Sequence, residues 1–161
     1  MSPDRPAALR FVQLHHDDSA QVRAELAAGL QAPQAAIAPK FLYDALGSRL
    51  FEAITELPEY YPTRVERSIF EAQRAAIAQA LGRGHTLVDL GAGNGEKAEG
   101  WIPALAPRAY VAVDISVEFL RETLARLQLR HPDLPMLGVG LDFSRALQLP
   151  PEVGEGTRLV F

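Results

Sequence analysis

The sequence predicts an α/β fold built on a parallel β-sheet. Four short apolar runs, at 86–90, 110–113, 136–140 and 158–161, alternate with segments of helical periodicity. Runs that are apolar throughout are typical of strands buried on both faces, and the intervening helices indicate right-handed crossovers between parallel neighbours. The first run leads directly into a glycine-rich turn, Gly91-Ala92-Gly93-Asn94-Gly95. A strand followed by such a turn is typical of α/β domains that bind nucleotide-type cofactors.

Length and composition limit the class of protein. The 161 residues suffice for one hydrophobic core, and an apolar share of 48% with a charged share of 22% is ordinary for a soluble globular chain. The net charge of -4 and the lack of Lys/Arg clusters argue against nucleic-acid and membrane-surface partners. The absence of cysteine excludes disulfides and thiolate zinc sites, and neither a signal peptide nor a bilayer-spanning run is recognisable. We therefore expect a cytoplasmic protein with no nucleic-acid or membrane partner.

Residues 1–62 are expected to form a helical arm ahead of a sheet domain at 63–161. In the first part of the arm, Asp18 or Ser19 can cap a helix, because short polar side chains accept hydrogen bonds from the first free amides. The apolar face of this helix consists of Val22, Leu26 and Leu30.

Two more helices are predicted before the glycine turn. The first, which Pro58 ends, has an apolar stripe made of Leu46, Leu50, Phe51, Ile54 and Leu57. Thr63 with Glu66 three residues later fits a capping box, so the second should run from about residue 64 to 81, with Gly82 as its stop. Further helices are expected over 96–105, 117–129 and, from a weaker pattern, 144–147.

The residue after the glycines distinguishes between cofactors. In a dinucleotide fold, G-x-G-x-x-G places its third glycine where the helix approaches the pyrophosphate, but this position is occupied here by Glu96. A carboxylate there would repel a pyrophosphate, which argues against a nicotinamide dehydrogenase. S-adenosylmethionine has no phosphate and carries a cationic sulfonium, so it tolerates Glu96 and Asp89 while still requiring glycines for close backbone approach. The alternative is an ordinary strand-to-helix turn.

Acidic residues follow the next two strands. Asp114 ends the second strand a little over twenty residues after the glycines, where a carboxylate can accept hydrogen bonds from both ribose hydroxyls. The alternative is a helix cap, for which Ser116 is better placed. Asp142 and Phe143 follow the third strand, where the carboxylate can accept from the adenine amino group while the ring packs on the base. A turn followed by a core aromatic residue is the alternative there.

Other polar residues give weaker indications. Lys97 opens the first crossover helix, where a cation is unfavourable against the helix dipole, so it either pairs with a cofactor carboxylate or is solvated. The four histidines lie on separate predicted loops and indicate no metal site; they are His15, His16, His85 and His131.

The arm carries the most specific motif. The segments Phe41-Leu42-Tyr43-Asp44-Ala45-Leu46-Gly47-Ser48-Arg49-Leu50-Phe51 and Leu57-Pro58-Glu59-Tyr60-Tyr61-Pro62-Thr63-Arg64 resemble the N-terminal signature of the histidine-specific methyltransferases. These enzymes use S-adenosylmethionine to trimethylate the α-amino group of L-histidine to hercynine in ergothioneine synthesis. The resemblance runs from about Pro39 to Phe161. It implies a Rossmann-like class I methyltransferase core behind the helical arm.

The resemblance also implies roles for individual residues. The cofactor contacts would be Gly91, Gly93, Lys97, Asp114, Asp142 and Phe143. Tyr43 is similar to the family tyrosine at the amino-acid end of the cofactor, and Tyr60 to one that lines the histidine pocket. A phenol ring beside a methylated ammonium can stabilise it by cation–π attraction. From the residues alone, Tyr60 and Tyr61 fit a hydrophobic staple. No catalytic residue is assigned.

Two features separate this chain from the family pattern. The turn Gly93-Asn94-Gly95-Glu96 replaces a serine/threonine-rich version, so the substrate can be another small amine. The family also continues beyond Phe161 with further strands and a substrate-binding lobe, so we expect the C-terminal half of the domain to be missing. The strand at 158–161 would then have one bare apolar edge, which is an association hazard. A non-catalytic cofactor-binding fragment is therefore the alternative to an active enzyme.

Overall fold

The computed structural model describes residues 9–14, 19–144 and 146–161. Its centre is a sheet of five parallel strands in the order β1-β4-β3-β2-β5. The strands are β1 (Arg10–Gln13), β2 (Thr86–Leu90), β3 (Ala109–Asp114), β4 (Met136–Gly140) and β5 (Arg158–Val160). The helices are α1 (Ser19–Gln31), α2 (Ala45–Thr55), α3 (Tyr61–Leu81), α4 (Glu96–Leu105) and α5 (Val117–Arg130). This confirms the predicted α/β, Rossmann-like class.

The two faces of the sheet are both apolar, as continuous hydrophobic runs require. On one face, Leu87 and Tyr110 pack with α4 and α5 through a buried cluster that includes Trp101 and Leu124. On the other face, strand valines form a second cluster that Val153 helps to cover, from a short 3-10 turn at Pro151–Val153. The strand residues in this second cluster are Val88, Val111, Val113, Leu137 and Val139. Because both faces are buried, the strand ends are left as the accessible edge.

The register of the strands brings their carboxyl ends level. Leu90 pairs with Val113, and Asp114 pairs with Gly140. The glycine turn after β2, the end of β3 and the segment after β4 therefore meet at one edge. Open α/β sheets bind their ligands at this edge.

One strand was missed by the sequence analysis. Arg10–Gln13 forms β1, which pairs in parallel with β4. The four residues are too short for a periodic signal, and their place in the sheet depends on Gly138, across from which Phe11 lies. The arm is therefore not wholly helical, although the division near residue 62 stays a prediction.

Two predicted helix features were wrong. The helix α3 begins at Tyr61 rather than near residue 64, with Pro62 in its first turn and no side-chain cap at Tyr60, so Thr63 lies inside the helix. Proline is well suited to the first turn because its fixed φ is helical and its missing N–H has no partner to lose there. The weak helix at 144–147 is not formed at Ser144, whose amide and hydroxyl both bond the Asp142 carboxylate. Such local side-chain bonds favour turns over helices.

The remaining helix bounds follow the sequence closely. α1 and α2 occupy the predicted segments, and α3 ends at Gly82, which has a φ of 77°. The Asp18 cap and the pair His15-His16 lie outside the described residues. Within the described part of the chain, β5 pairs with β2 alone, and Val160 is 53% exposed. The bare apolar edge expected for this strand is therefore present.

Gly138 tests how β1 is held. A Cβ there would lie 2.4 Å from Phe11 Cδ2 and 2.6 Å from Leu124 Cδ1, and the Phe11 ring is covered by the Arg121 guanidinium at 3.8 Å. We expect Gly138→Ala to lower the free energy of unfolding by about 1–3 kcal/mol through overpacking, as measured by urea denaturation.

Gly100→Ala in α4 is the matched control. The nearest atom to a Cβ at Gly100 is Arg74 Nη2 at 3.9 Å, so this variant should gain about 0.5–1 kcal/mol from helix propensity. Equal effects of the two substitutions would contradict the packing argument.

Candidate active site

A cleft of about 720 Å³ lies at the carboxyl ends of the strands. Its floor is the glycine turn together with Asp89 and Asp114, and its other sides come from the arm and from the segment after β4. All eight residues that the sequence analysis assigned to a site line this cleft; they are Tyr43, Tyr60, Gly91, Gly93, Lys97, Asp114, Asp142 and Phe143. The structure thus brings residues from five separate segments to one place.

The glycine turn presents open backbone to the cleft. Gly91, Gly93 and Gly95 have φ values of 74°, 52° and 70°, a left-handed region that other L-residues reach only with strain. The Gly91 amide donates to the carbonyl of Val113 over 2.8 Å, which fixes the turn to β3. Gly95 is the N-cap residue of α4, and a side chain there would meet Leu127 Cδ1 at 2.8 Å. The turn is therefore rigid, and its surface is free of side chains at the glycines.

Asp114 connects the end of β3 to this turn. Its Oδ2 accepts from the Gly93 amide over 3.0 Å, and its Oδ1 accepts from the Ser116 amide over 2.8 Å. A carboxylate has about four acceptor positions, so two are left for a ligand. Ser116 occupies the cap position of α5 but makes no side-chain cap bond; its hydroxyl donates instead to the carbonyl of Tyr43. The capping role suggested for Ser116 is thus replaced by a link to the arm.

Asp142 is held as a charged group at the end of β4. Its Oδ1 accepts from the Ser144 amide over 3.0 Å and from the Ser144 hydroxyl over 2.5 Å, and Lys40 Nζ lies 3.0 Å from Oδ2. Partial burial acts to raise the pKa of Asp142, but the hydrogen bonds from Ser144 and Lys40, with the charge of Lys40, outweigh it and lower the pKa to about 2. Asp142 is therefore an acceptor at any physiological pH.

Phe143 lies across the cleft from the glycine turn. Its Cζ is 4.0 Å from the position that a Cβ on Gly91 would take, and the side chain is 36% exposed. Phe143 therefore presents part of its ring to the cleft beside bare backbone. A planar heterocycle can stack on an exposed ring of this kind.

Asp89 is a buried acid beneath the turn. It is 3% exposed, and its Oδ2 accepts from the Tyr110 hydroxyl over 3.0 Å. Burial raises the pKa of Asp89 to about 6, against the lowering effects of the Tyr110 hydrogen bond and the charge of Lys97. The pKa of Tyr110 is raised well above its usual value by burial and by the neighbouring Asp89. The site therefore keeps a carboxyl group that is costly to ionise.

Aromatic rings form the wall that the arm contributes. The rings of Tyr43 and Phe51 are 5.7 Å apart between centroids, and those of Phe51 and Tyr60 are 5.9 Å apart, both in edge-to-face contact. Arg64 holds Tyr60 in place, because its guanidinium donates to the carbonyls of Leu57 and Tyr60 over 2.9 and 3.4 Å. A row of electron-rich rings beside a cleft can stabilise a cation.

Charged pairs join α3 to the start of α4. Lys97 Nζ lies 3.1 Å from Glu66 Oε1, and Arg67 Nη2 lies 3.4 Å from Glu96 Oε2. All four side chains are about half exposed, so each pair contributes little to stability. Lys97 lines the cleft and is paired with Glu66, and its contact with a cofactor stays a prediction.

Sequence reasoning missed two polar residues of the site, Lys40 and Ser48. Lys40 bridges Asp142 to Glu25 of α1, and Ser48, only 6% exposed, lies 3.0 Å from the Ser116 hydroxyl. The partners of Lys40 and Ser48 are 102 and 68 residues away, so no local spacing reveals them. Across the described residues, no cluster of acids and histidines fits a metal ion, and no helix is long and apolar enough to cross a bilayer.

A parallel sheet with this glycine turn, and with acids at the ends of the next two strands, defines a Rossmann-like α/β fold of the methyltransferase class. The chain belongs to the histidine-specific, S-adenosylmethionine-dependent methyltransferase family, because the model described as "Histidine-specific methyltransferase, SAM-dependent" matches residues 22–161.

Curated relatives agree with the family. The histidine N-alpha-methyltransferase of Mycolicibacterium smegmatis is 38% identical over 137 residues, which cover 83% of this chain and 42% of the relative. That of Mycobacterium tuberculosis is 37% identical over 144 residues, covering 87% and 44%. Ergothioneine biosynthesis protein 1 of Neurospora crassa is 39% identical over 90 residues, covering 53% and 10%. The chain thus spans less than half the length of these relatives.

The buried acid gives a pH-dependent prediction. The pKa of Asp89 rises from an ordinary 3.8 to about 6 on folding, so the folded state binds the extra proton and the acid costs stability as pH rises through this interval. A shift of this size corresponds to about 3 kcal/mol. We expect Asp89→Asn, which keeps an acceptor for Tyr110, to be more stable than the parent protein by about 3 kcal/mol at pH 7.5 and by only about 1 kcal/mol at pH 4.5.

Urea denaturation at both pH values measures the difference. Tyr110→Phe is the control, because it removes the hydrogen bond and should steepen the fall in stability with rising pH. A stability gain for Asp89→Asn that is the same at both pH values would contradict the ionisation argument.

Proposed function

We propose that the protein serves methyl transfer from S-adenosylmethionine to an amine, with the α-amino group of L-histidine as the acceptor and hercynine as the final product. Membership of the histidine-specific family supports this reaction, as do the relatives that carry the name histidine N-alpha-methyltransferase. The cytoplasmic location expected from the sequence stays a prediction.

The observation that carries the proposal is the pair of acceptors at neighbouring strand ends. Asp114 and Asp142 flank a glycine turn whose backbone is open, and Phe143 faces that turn. Two carboxylates and a ring suit the hydroxyls, amino group and flat base of an adenosine. The same carboxylates are unfavourable for a pyrophosphate, so the chemistry of the residues fits S-adenosylmethionine better than a dinucleotide.

The residues divide between the parts of the cofactor. Asp114 would accept from the ribose hydroxyls, Asp142 from the adenine amino group, and Phe143 would stack on the base. Gly91 and Gly93 would let the backbone approach closely. The amino-acid end would meet Lys97 and Tyr43, for which Lys97 must leave Glu66, an exposed partner 3.1 Å away. Such a surface pair is cheap to exchange.

Bound S-adenosylmethionine supplies an electrophilic methyl group on a sulfonium. The protein has to hold the amine in line with the carbon–sulfur bond, and such positioning accounts for much of the acceleration in transfers of this kind. Tyr60, in edge contact with Phe51, would line the acceptor pocket. Its ring favours an amine that becomes more cationic with each methyl group. The base that deprotonates the amine is unassigned.

Two alternatives have support of their own. The coverage of 42% and 44% of the bacterial relatives favours a polypeptide that binds the cofactor without turning over by itself. The Asn94-Gly95-Glu96 sequence at the turn favours an enzyme for a different small amine.

Cofactor binding is tested by calorimetry with S-adenosylhomocysteine. We expect binding by the chain, and we expect Asp114→Ala to weaken it by about 10- to 100-fold, the loss typical of hydrogen bonds to a charged group. Asp133→Ala, on an exposed turn before β4, is the matched control and should bind as the parent does. Equal affinities for all three proteins would remove the assigned role of Asp114, and no heat with the parent would refute cofactor binding.

Turnover is tested by transfer of labelled methyl groups to L-histidine. Membership of the histidine-specific family supports L-histidine as the methyl acceptor. We therefore expect mono-, di- and trimethylated products from a longer polypeptide that includes the downstream coding sequence. Activity of the present chain alone would exclude the non-catalytic alternative. Labelling of another amine in a substrate panel, with none of histidine, would redirect the proposal to that amine.

A further inference from the structure

Lys40 lies between α1 and the segment after β4, and the proposed function assigns it no role. Its Nζ lies 3.0 Å from Glu25 Oε1 on α1 and 3.0 Å from Asp142 Oδ2 after β4, and its side chain is only 16% exposed. It also lines the cleft. A cation that is largely shielded from water and shared by two carboxylates is held more firmly than a surface pair.

The hydrogen bonds of Asp142 leave it one defined acceptor position. Ser144 occupies both positions on Oδ1, through its amide at 3.0 Å and its hydroxyl at 2.5 Å, and Lys40 occupies one position on Oδ2. Since a carboxylate has about four such positions, a single one on Oδ2 is free for a ligand. The place of Lys40 therefore decides where that free position points.

Lys40 also connects Asp142 to the aromatic wall. It lies in the 3-10 turn Pro39–Leu42, and its carbonyl accepts from the Tyr43 amide over 3.3 Å. The Tyr43 carbonyl in turn accepts from the Ser116 hydroxyl at the end of β3. This short turn thus crosses the cleft edge from β4 to β3, and it is fixed at both ends by polar contacts.

We propose that Lys40 is a positioning residue that directs the free acceptor position of Asp142 toward an exocyclic amino group of the bound base, so that the arm sets the preference for adenine over a 6-oxo purine. The inference rests on the proposed function, since it assumes that the cleft binds the adenosine of the cofactor. A 6-oxo purine presents a carbonyl in place of the amino group, and Asp142 has no proton to donate to it.

The test compares two nucleosides on the same protein. S-adenosylhomocysteine is measured against S-inosylhomocysteine, in which an oxygen replaces the adenine 6-amino group, by calorimetry. We expect the parent to prefer the adenosyl compound by at least about tenfold, the worth of one charge-assisted hydrogen bond. Lys40→Met should reduce this preference by about tenfold through weaker adenosyl binding, and Lys40→Arg, which keeps a positive donor for the carboxylates, should retain most of it.

The matched control removes another ion pair between the arm and the sheet domain. Arg49 Nη2 lies 3.8 Å from Glu122 Oε1, linking α2 to α5, with both side chains about two-thirds exposed. Arg49→Met should leave both affinities unchanged. Asp142→Asn supplies a second variant that acts on the same contact, because its amide can donate to the 6-oxo group and should reverse the preference.

The outcomes separate the inference from the function on which it rests. Equal weakening of both nucleosides in Lys40→Met would show that Lys40 only docks the arm, and it would overturn the positioning role. An unchanged preference in Asp142→Asn would overturn it as well, even if Lys40→Met did not fold. Failure of the parent protein to bind either nucleoside would instead refute the proposed function.

Discussion

The site depends on the parallel register of three neighbouring strands. Because Leu90 is level with Val113, and Asp114 with Gly140, the residues that follow β2, β3 and β4 are brought within reach of one ligand. A parallel sheet has all its strand ends of one kind at the same edge, and burial of both faces leaves this edge as the accessible surface. The glycine turn, Asp114 and Asp142 therefore form a single site although they are far apart in the sequence.

Three acidic residues at this edge have different electrostatic environments. Asp142 is kept ionised by Lys40 and Ser144, whereas burial raises the pKa of Asp89 to about 6. Asp114 accepts hydrogen bonds from two backbone amides. The group that is costly to ionise lies deepest, and a ligand with a positive charge at its amino-acid end would reduce that cost. Ionisation of Asp89 lowers the stability of the free protein, and the size of this loss depends on the charge of the ligand in the cleft.

The sequence predicted the parts of the site that depend on local order. Gly91, Asp114 and Asp142 lie at the ends of apolar runs, so the predicted strand ends and the glycine turn were sufficient to predict that these residues lie close together. The arm tyrosines were found only through a family resemblance. Lys40 and the strand β1 were missed, since Lys40 meets its partner Asp142 across 102 residues and β1 is only four residues long. Tertiary contacts of this kind leave no periodic pattern. The capping box failed because Pro62 already suits the first turn of α3.

The three helices that precede the glycine turn are joined to the sheet in two different ways. α3 packs into the core through Phe70, whose ring meets Trp101 at 5.3 Å, but none of the described residues of α1 is buried and only Ser48 is buried in α2. These two helices therefore depend on polar links, through Lys40 and through Ser48, more than on apolar burial. Both links lie beside the cleft, so a ligand that contacts Tyr43 and Asp142 together would bind most tightly to the docked arm. By linkage it would then stabilise that arrangement to the extent that it binds the docked arm more tightly than the undocked arm.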